Sequence, residues 1–263
     1  MIIRRKGNNG QVRIIETSRL PMAIKPYSFN SGARIYPIRG LLGCFHLLYD
    51  DRSGEAVLID TGLVGEMPRL TGVLKTIGLG WNDIKAILLT HGHLDHTGYL
   101  ARLKELTGAP VLAHPLEQSH IDGNFPYRGP SRVCGALEAF GRWVLRYRTV
   151  RIDEPLHANM ELPYWGGLRV IHLPGHTQGH CGFYSQRFNL LFTGDLFASY
   201  PWLAHLPPAF LNSCPEYFDA SLDAVQNLAP RFIIPNHYFG QSLELHRTRF
   251  DSLYKGKSRI ASG

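Results

Sequence analysis

Two apolar patterns take turns along the chain. Short runs rich in β-branched residues recur at 33–38, 43–49, 56–60, 84–90, 110–113, 168–173, 181–184, 189–193 and 231–235, bounded by Gly, Pro or Asp. Runs of this length and composition predict β-strands. Between several of them the apolar spacing becomes helical. Over 96–107, Leu100, Leu103 and Leu106 form a stripe, with Asp95 placed to cap its start and Gly108 to stop its end. Residues 66–77, 216–228 and 241–254 predict three more helices. Strands and helices alternate throughout, which predicts an α/β layered fold.

The rhythm breaks over 115–150. A turn-rich stretch, SHIDGNFPYRGP, leads into SRVCGALEAFGRWVLRYR. In the latter Val133, Leu137, Phe140, Val144 and Tyr147 share one helical face, while Arg132, Arg142 and Arg146 lie elsewhere on the surface. This predicts a helical insert, either a lid or an amphipathic helix packed on the main body. The organisation expected is one domain over 1–263, carrying this insert and a basic N-terminal segment over 1–32.

Composition adds bounds rather than chemistry. At 263 residues with 44% hydrophobic and 19% charged content, the chain can bury a substantial core. No run approaches the ~18 apolar residues that span a bilayer. The opening MIIRRKGNNG has the charge of a signal peptide but no apolar core after it. Cys44, Cys134, Cys181 and Cys214 form no C-x-x-C pair, so reduced thiols in a cytoplasmic protein are expected. Residues 1–39 hold eight basic groups against Glu16, a balance equal to the chain's net +7. Such an arm is either a solvated segment or a recruiter of anionic partners, with nucleic acid the lesser alternative.

Candidate chemistry concentrates in ILLTHGHLDHTGYL, residues 87–100. His91 and His93 are two apart at a strand end, so both rings point to one side. Asp95 and His96 follow at the turn and helix start, where they can face a second point. Downstream, His176 follows LRVIHLPG, Asp195 follows NLLFTG, and His237 follows RFIIPN. Each is one metal-binding side chain delivered by a turn after an apolar strand, the rigid placement a metal site requires. Together these are five histidines and two aspartates, enough for two sites with Asp195 between them.

In this order VLIDTG, THGHLDH, PGHTQGH, FTGD and PNH resemble the metallo-β-lactamase fold superfamily of binuclear hydrolases. The motifs lie between residues 56 and 237. The resemblance implies an α/β fold of four layers, an αββα sandwich with metals at one edge of two sheets. It assigns His91, His93 and His176 to a first ion and Asp95, His96 and His237 to a second, with Asp195 bridging and Asp60 as an orienting carboxylate behind them. The implied cofactors are two divalent ions, zinc by preference, with iron or manganese accepted by the same donors. Two such ions share a water and lower its pKa to ~7, so the implied reaction is hydrolysis by a bridging hydroxide. Asp95 is the candidate to orient that nucleophile or pass its proton on.

The motifs also narrow the branch. Histidine at 93 differs from the acidic residue of the diiron flavoproteins, and Asp195 differs from true β-lactamases, which lack that carboxylate. PGHTQGH and FTGD resemble glyoxalase II-type thioesterases, but only 26 residues follow His237 where those enzymes carry a helical domain. Compact lactonases are similar in layout, except that a tyrosine closely follows their bridging aspartate and here Tyr200 comes five residues on. The expected substrate is therefore a small-molecule ester, lactone or thioester. Tyr200, Trp202, His205 and Phe210, in the stretch SYPWLAHLPPAFLNSC, are its candidate pocket. They could equally pack on the insert or on a second subunit, which makes a homodimer an open expectation. Two other readings remain: a single-iron persulfide dioxygenase using only the first site, and a phosphodiesterase acting on nucleic acid. His180 is expected to hydrogen-bond near the site, and His114 and His172 to be packing groups. His46, His120, His157, His205 and His246 have no ligand spacing.

Overall fold

Strands form at the apolar runs because both faces of each are covered. In Glu55–Ile59, Val57 and Ile59 enter one core while Ala56 and Leu58 enter another. Burial on both faces is why these segments read as continuous apolar runs rather than alternating ones. The computed structural model describes residues 24–127, 129–201, 203–240 and 242–261. Most of the basic N-terminal segment, residues 1–23, and Trp202 of the expected pocket lie outside the described residues.

The first sheet has seven strands in chain order: β1 (Tyr27–Ser28), β2 (Ala33–Arg39), β3 (Cys44–Asp50), β4 (Glu55–Ile59), β5 (Ile84–Leu88), β6 (Val111–Ala113) and β7 (Glu154–Pro155). It is antiparallel as far as β4 and parallel from β4 to β7. The parallel part needs crossovers, supplied by α1 (Glu66–Ile77) and by α2 (Leu94–Thr97) with α3 (Leu100–Thr107). The second sheet contains β8 (Glu161–Leu162), β9 (Leu168–His172), β10 (Cys181–Ser185) and β11 (Leu190–Gly194). A separate hairpin, β12 (Ala198–Tyr200) with β13 (Leu203–His205), follows, and β14 (Phe232–Pro235) returns to pair in parallel with β11. The remaining helices are α4 (Gln118–Ile121), α5 (Arg132–Val144), α6 (Phe218–Leu228) and α7 (Leu243–Ala261).

Three cores define four layers. Ile35, Leu48, Val57, Ile59 and Leu88 of the first sheet meet Val170, Phe183, Phe192 and Ile234 of the second. Leu70, Val73 and Leu74 of α1 and Leu100 and Leu103 of α3 cover the outside of the first sheet. Leu222 and Val225 of α6 with Phe250 of α7 cover the outside of the second. Each such side chain, fully buried, stabilises by roughly 2 kcal/mol. The layers are helix, sheet, sheet, helix: the αββα sandwich that the motifs implied.

Two helical expectations need correction. The helix expected over 96–107 is broken at Gly98 and Tyr99, and Asp95 lies inside α2, where His93 holds the N-cap position. The chain passes so close to its neighbours there that only glycine fits: a Cβ on Gly98 would stand 2.5 Å from Leu63 Cδ1 and 2.8 Å from the Gly62 carbonyl oxygen. The second correction concerns the insert, whose helix α5 is turned the opposite way. Val133, Leu137, Phe140 and Val144 are exposed, while Cys134, Glu138 and Arg142 are buried. Arg142 is thus not a surface group. Cys134, Glu138 and Arg142 are spaced i, i+4 and i+8, so they form one stripe along the helix. That polar stripe faces the protein because it has partners there, described below.

Candidate metal centre

The ends of β4, β5, β11 and β14 and the turn from β9 to β10 meet at one edge of the sandwich. Beyond β5, the loop through Thr90 delivers His91 and His93. The β9–β10 turn delivers His176, β11 ends at Asp195, and β14 runs into His237. Gly194 makes the Asp195 turn possible: its φ is +54°, and a Cβ there would lie 2.6 Å from His180 Nε2 and 2.9 Å from Thr90 Cβ.

All seven residues expected to bind metal come together, in two groups. His91, His93 and His176 present ligand atoms within 4.8 Å of one another, and so do Asp95, His96, Asp195 and His237. Asp195 touches both groups. Its Oδ2 is 3.6 Å from His176 Nε2 and 3.0 Å from His237 Nε2, and its Oδ1 is 3.4 Å from His96 Nε2. Asp95 Oδ2 lies 3.3 Å from His237 Nε2 and 3.6 Å from His96 Nε2.

The donors fit divalent ions. His91 Nε2, His176 Nε2 and Asp195 Oδ1 are buried without any hydrogen-bond partner. Buried polar atoms are normally paired, so three unpaired ones converging on a point mark a place for a ligand. Their opposite ring atoms are occupied. His91 Nδ1 is 3.0 Å from Thr90 Oγ1, and His176 Nδ1 is 2.9 Å from Asn212 Oδ1. These contacts turn the free nitrogens inward, as outer partners of metal-binding imidazoles do.

Electrostatics divides the two groups. Burial, reinforced by the neighbouring imidazoles, pushes His91 and His93 well below the ordinary histidine range, so both are neutral and can ligate. In the second group burial acts the same way on His96 and His237, but Asp195 and Asp95 outweigh it and hold both well above that range. Asp195 is buried too, yet His237 and His96 hold it well below the ordinary carboxylate range. The carboxylates thus stabilise positive charge on this side of the site, whether a proton or a metal ion carries it.

Asp60 lies behind the second group, against Thr90 and His96. Its Oδ1 accepts from the Thr90 amide at 2.7 Å, and its Oδ2 accepts from Thr90 Oγ1 at 2.8 Å and lies 2.9 Å from His96 Nδ1. Asn236 Nδ2 adds a further bond to Oδ2. Asp60 sits at φ +63°, an unusual backbone for a non-glycine residue. His180 also behaves as expected, accepting the Asp195 amide at Nε2 over 3.0 Å while Nδ1 faces the Leu173 carbonyl oxygen. His114 and His172 stack with ring centroids 4.8 Å apart, half-buried.

Several residues that the motifs did not single out also hold the site. Glu117 is fully buried and accepts the Gly92 amide at 2.7 Å and the Gly179 amide at 2.8 Å, tying the His91–His93 loop to the His176 turn. Burial raises its carboxyl to about 7 despite those bonds. His93 Nε2 is 2.6 Å from the Tyr127 hydroxyl, which lies 2.7 Å from Glu138 Oε1. His120, expected to play no part, is buried with its ring centroid 5.0 Å from that of His93 and neither nitrogen bonded. The local sequence carries one trace of this support, the inward stripe of α5; the rest depends on contacts distant along the chain. Of the expected pocket, Tyr200 and His205 lie on opposite strands of the β12–β13 hairpin with ring centroids 5.7 Å apart, and Phe210 is 47% exposed.

Comparison with known proteins agrees with this geometry. A family model described as the metallo-beta-lactamase superfamily matches residues 39–237. The hydroxyacylglutathione hydrolase GloC of Haemophilus influenzae is 30% identical over 165 residues, covering 62% of this chain and 70% of its own. The probable metallo-hydrolase YybB of Bacillus subtilis is 28% identical over 73% of this chain and 80% of its own. Among solved structures, TTHA1623 in a di-iron-bound form superposes with a TM-score of 0.61 at 30% identity, covering 81% of this chain and 98% of that one. The metallo-beta-lactamase family protein TTHA1429 of Thermus thermophilus shares the fold, with a TM-score of 0.67 at 24% identity over 87% and 80% of the two chains.

Proposed function

The chain belongs to the metallo-β-lactamase superfamily, and from that premise we propose that it is a binuclear metal-dependent hydrolase of a small-molecule thioester, ester or lactone. The observation that carries this reading is the position of Asp195, within 3.6 Å of nitrogens from both histidine groups. His91, His93 and His176 would hold one ion, Asp95, His96 and His237 the other, and Asp195 both. Imidazole nitrogen with bridging carboxylate suits zinc, while iron and manganese use the same donors. When bound, such ions supply a nucleophile at neutral pH and polarise the carbonyl under attack.

The residues divide the remaining work. Asp60 fixes the His96 ring through its contact with Nδ1, leaving Nε2 to face Asp95 and Asp195. Asp95 has a quarter of its side chain exposed, the most open of the set, so it is the group placed to orient the attacking water and hand a proton to the leaving group. Tyr200, His205 and Phe210 would form the pocket wall. The hydroxyacylglutathione hydrolase relative makes thioesters the first class to assay.

Two rival readings lose ground. A single-iron dioxygenase needs only the first group, yet the second is equally assembled. A nucleic-acid enzyme would draw on the cations of the insert, of which Arg142 is buried and Arg148 is paired with Glu105, leaving Arg132 and Arg146 exposed. Among the described residues no helix is long and apolar enough to cross a membrane. The four cysteines are free and buried, in keeping with a reducing, cytoplasmic setting. The exposed face of α5 is where a second copy would pack if the chain dimerises, and sedimentation at rising concentration tests that. For the function, thioester and lactone hydrolysis should disappear with chelator and return with zinc. Hydrolysis indifferent to chelation would contradict it.

A further inference from the structure

The buried polar stripe of α5 has a destination. Glu138 and Cys134 both reach the Tyr127 hydroxyl, Glu138 Oε1 at 2.7 Å and Cys134 Sγ at 3.4 Å. That hydroxyl is 2.6 Å from His93 Nε2. Arg142, one turn beyond Glu138, lies 3.6 Å from its Oε2 and donates to the carbonyl oxygens of His120 at 2.7 Å and Ile121 at 2.9 Å. Tyr127, Glu138 and Arg142 are all less than a tenth exposed.

The direction of these bonds follows from chemistry. A carboxylate only accepts, so Tyr127 donates its O–H to Glu138. The phenol oxygen is then left to accept, from the Cys134 thiol at 3.4 Å and, closer, from an N–H on His93 Nε2 at 2.6 Å. With the proton on Nε2, the lone pair of His93 is on Nδ1. We propose that Tyr127, backed by Glu138, is a positioning residue that fixes the tautomer and ring angle of His93 for the first metal ion, so that the 115–150 insert is an outer support of the metal centre. The proposal rests on the functional reading above for the identity of His93 as a ligand.

This also explains why α5 is inverted. A helix that packed its apolar face inward would carry Glu138 and Arg142 into solvent and leave the Tyr127 hydroxyl without its carboxylate acceptor. The same side chains could instead suggest a separate cation site, since His93, His120 and Glu138 present ligand atoms within 4.8 Å. The Arg142 guanidinium beside Glu138 opposes a second positive charge there, and the Tyr127 hydroxyl already fills the space between His93 and Glu138.

The test uses the full chain carrying Tyr127→Phe, which removes one oxygen and little volume, and Glu138→Gln, which keeps an acceptor. Zinc affinity at each site is measured by chelator competition, with cobalt substitution reporting the ligand field. Tyr127→Phe should weaken the first ion by ~10–100-fold, as outer-partner changes do, shift the cobalt spectrum, and leave the second ion within a few-fold. Glu138→Gln should lose less. Separately, ring-nitrogen NMR of the metal-free chain should show His93 as the Nε2–H tautomer, with that preference lost in Tyr127→Phe. Unchanged affinities with an unchanged tautomer would overturn the proposal. Equal weakening of both ions with a lower melting temperature of the metal-free chain would make the role merely structural and overturn it as well. A third zinc equivalent lost on substitution would instead make the cluster a metal site. A wild-type chain that takes up no metal would sink the hydrolase reading, whereas the tautomer measurement still judges this one.

Discussion

At the scale of single residues, the site depends on which atom of each side chain is left free. His91 and His176 have one ring nitrogen engaged and the other buried and unpaired. Each ligand imidazole is anchored through one nitrogen and keeps the other for a metal, so deleting one should cost metal binding far more than it costs the fold. His93→Ala is therefore expected to cut metal-dependent hydrolysis by more than the ~10–100-fold typical of an outer-partner change, with the far-UV spectrum unchanged; retained activity would contradict the ligand assignment. Glu117 should behave in the opposite way. Its two bonds join the two ligand loops, and Glu117→Ala would leave the Gly92 and Gly179 amides buried and unpaired. The expected cost is roughly 3 kcal/mol in denaturant unfolding, and a loss below 1 kcal/mol would show that the loops do not depend on it.

Gly92, between the two leading histidines, shows how tightly that loop is set. A Cβ there would come 2.7 Å from His120 Cβ and 2.9 Å from the Glu117 carbonyl oxygen. The ligand motif therefore includes its small residue for a packing reason, not only for its histidines.

At the scale of elements, the contrast is between strands and the insert. Each ligand-bearing strand end was legible because its signal is local: a run of apolar residues, a turn residue, then a histidine or aspartate. The four main-body helices were legible for the same reason, apart from the break at Gly98 and Tyr99. Helix α5 misled because periodicity reveals that a helix has two faces but not which one is buried. Apolar residues normally turn inward, and here Tyr127 and His93 outweigh that tendency by offering partners to Glu138. Tyr127, Glu138 and Asn212 were illegible as site residues for a related reason: each meets its histidine only after the chain has folded back. The inversion has a measurable consequence. In dilute solution Leu137→Ala and Phe140→Ala should each change stability by under ~0.5 kcal/mol, as surface changes do. A buried phenylalanine would cost ~3–5 kcal/mol, and a loss of that size would place the apolar face in a core.

Across the whole molecule, buried titratable groups set the response to pH. Burial lowers His46, His120 and His180 from 6.5 to about 3. Their contribution is complete above 6.5 and is lost as pH falls towards 3. Burial raises Glu117 and Glu138 from 4.5 to about 7, so theirs is complete below 4.5 and is lost as pH rises through 7. Between 6.5 and 4.5 the two sets oppose each other, and below 4.5 only the histidines still change. Asp95 and Asp195, both lowered by facing histidines despite burial, add to the loss in acid. His91, His93, His114, His176 and His246 are lowered as well, so the histidines outnumber the two glutamates. The melting temperature of the metal-free chain should thus fall as pH drops from 6.5 and fall faster below 4.5, where the glutamates no longer oppose it; a rise towards pH 3 would contradict these assignments.

The fold brings two separately wired groups of ligands around one shared carboxylate, and the proposed chemistry depends on both being filled. Elemental analysis of the purified chain after zinc loading and removal of excess metal measures this directly. Two equivalents per chain, falling to one or none in Asp195→Ala, is the expected result. A single tightly bound iron with the second group empty, or no metal at all, would contradict a binuclear hydrolase.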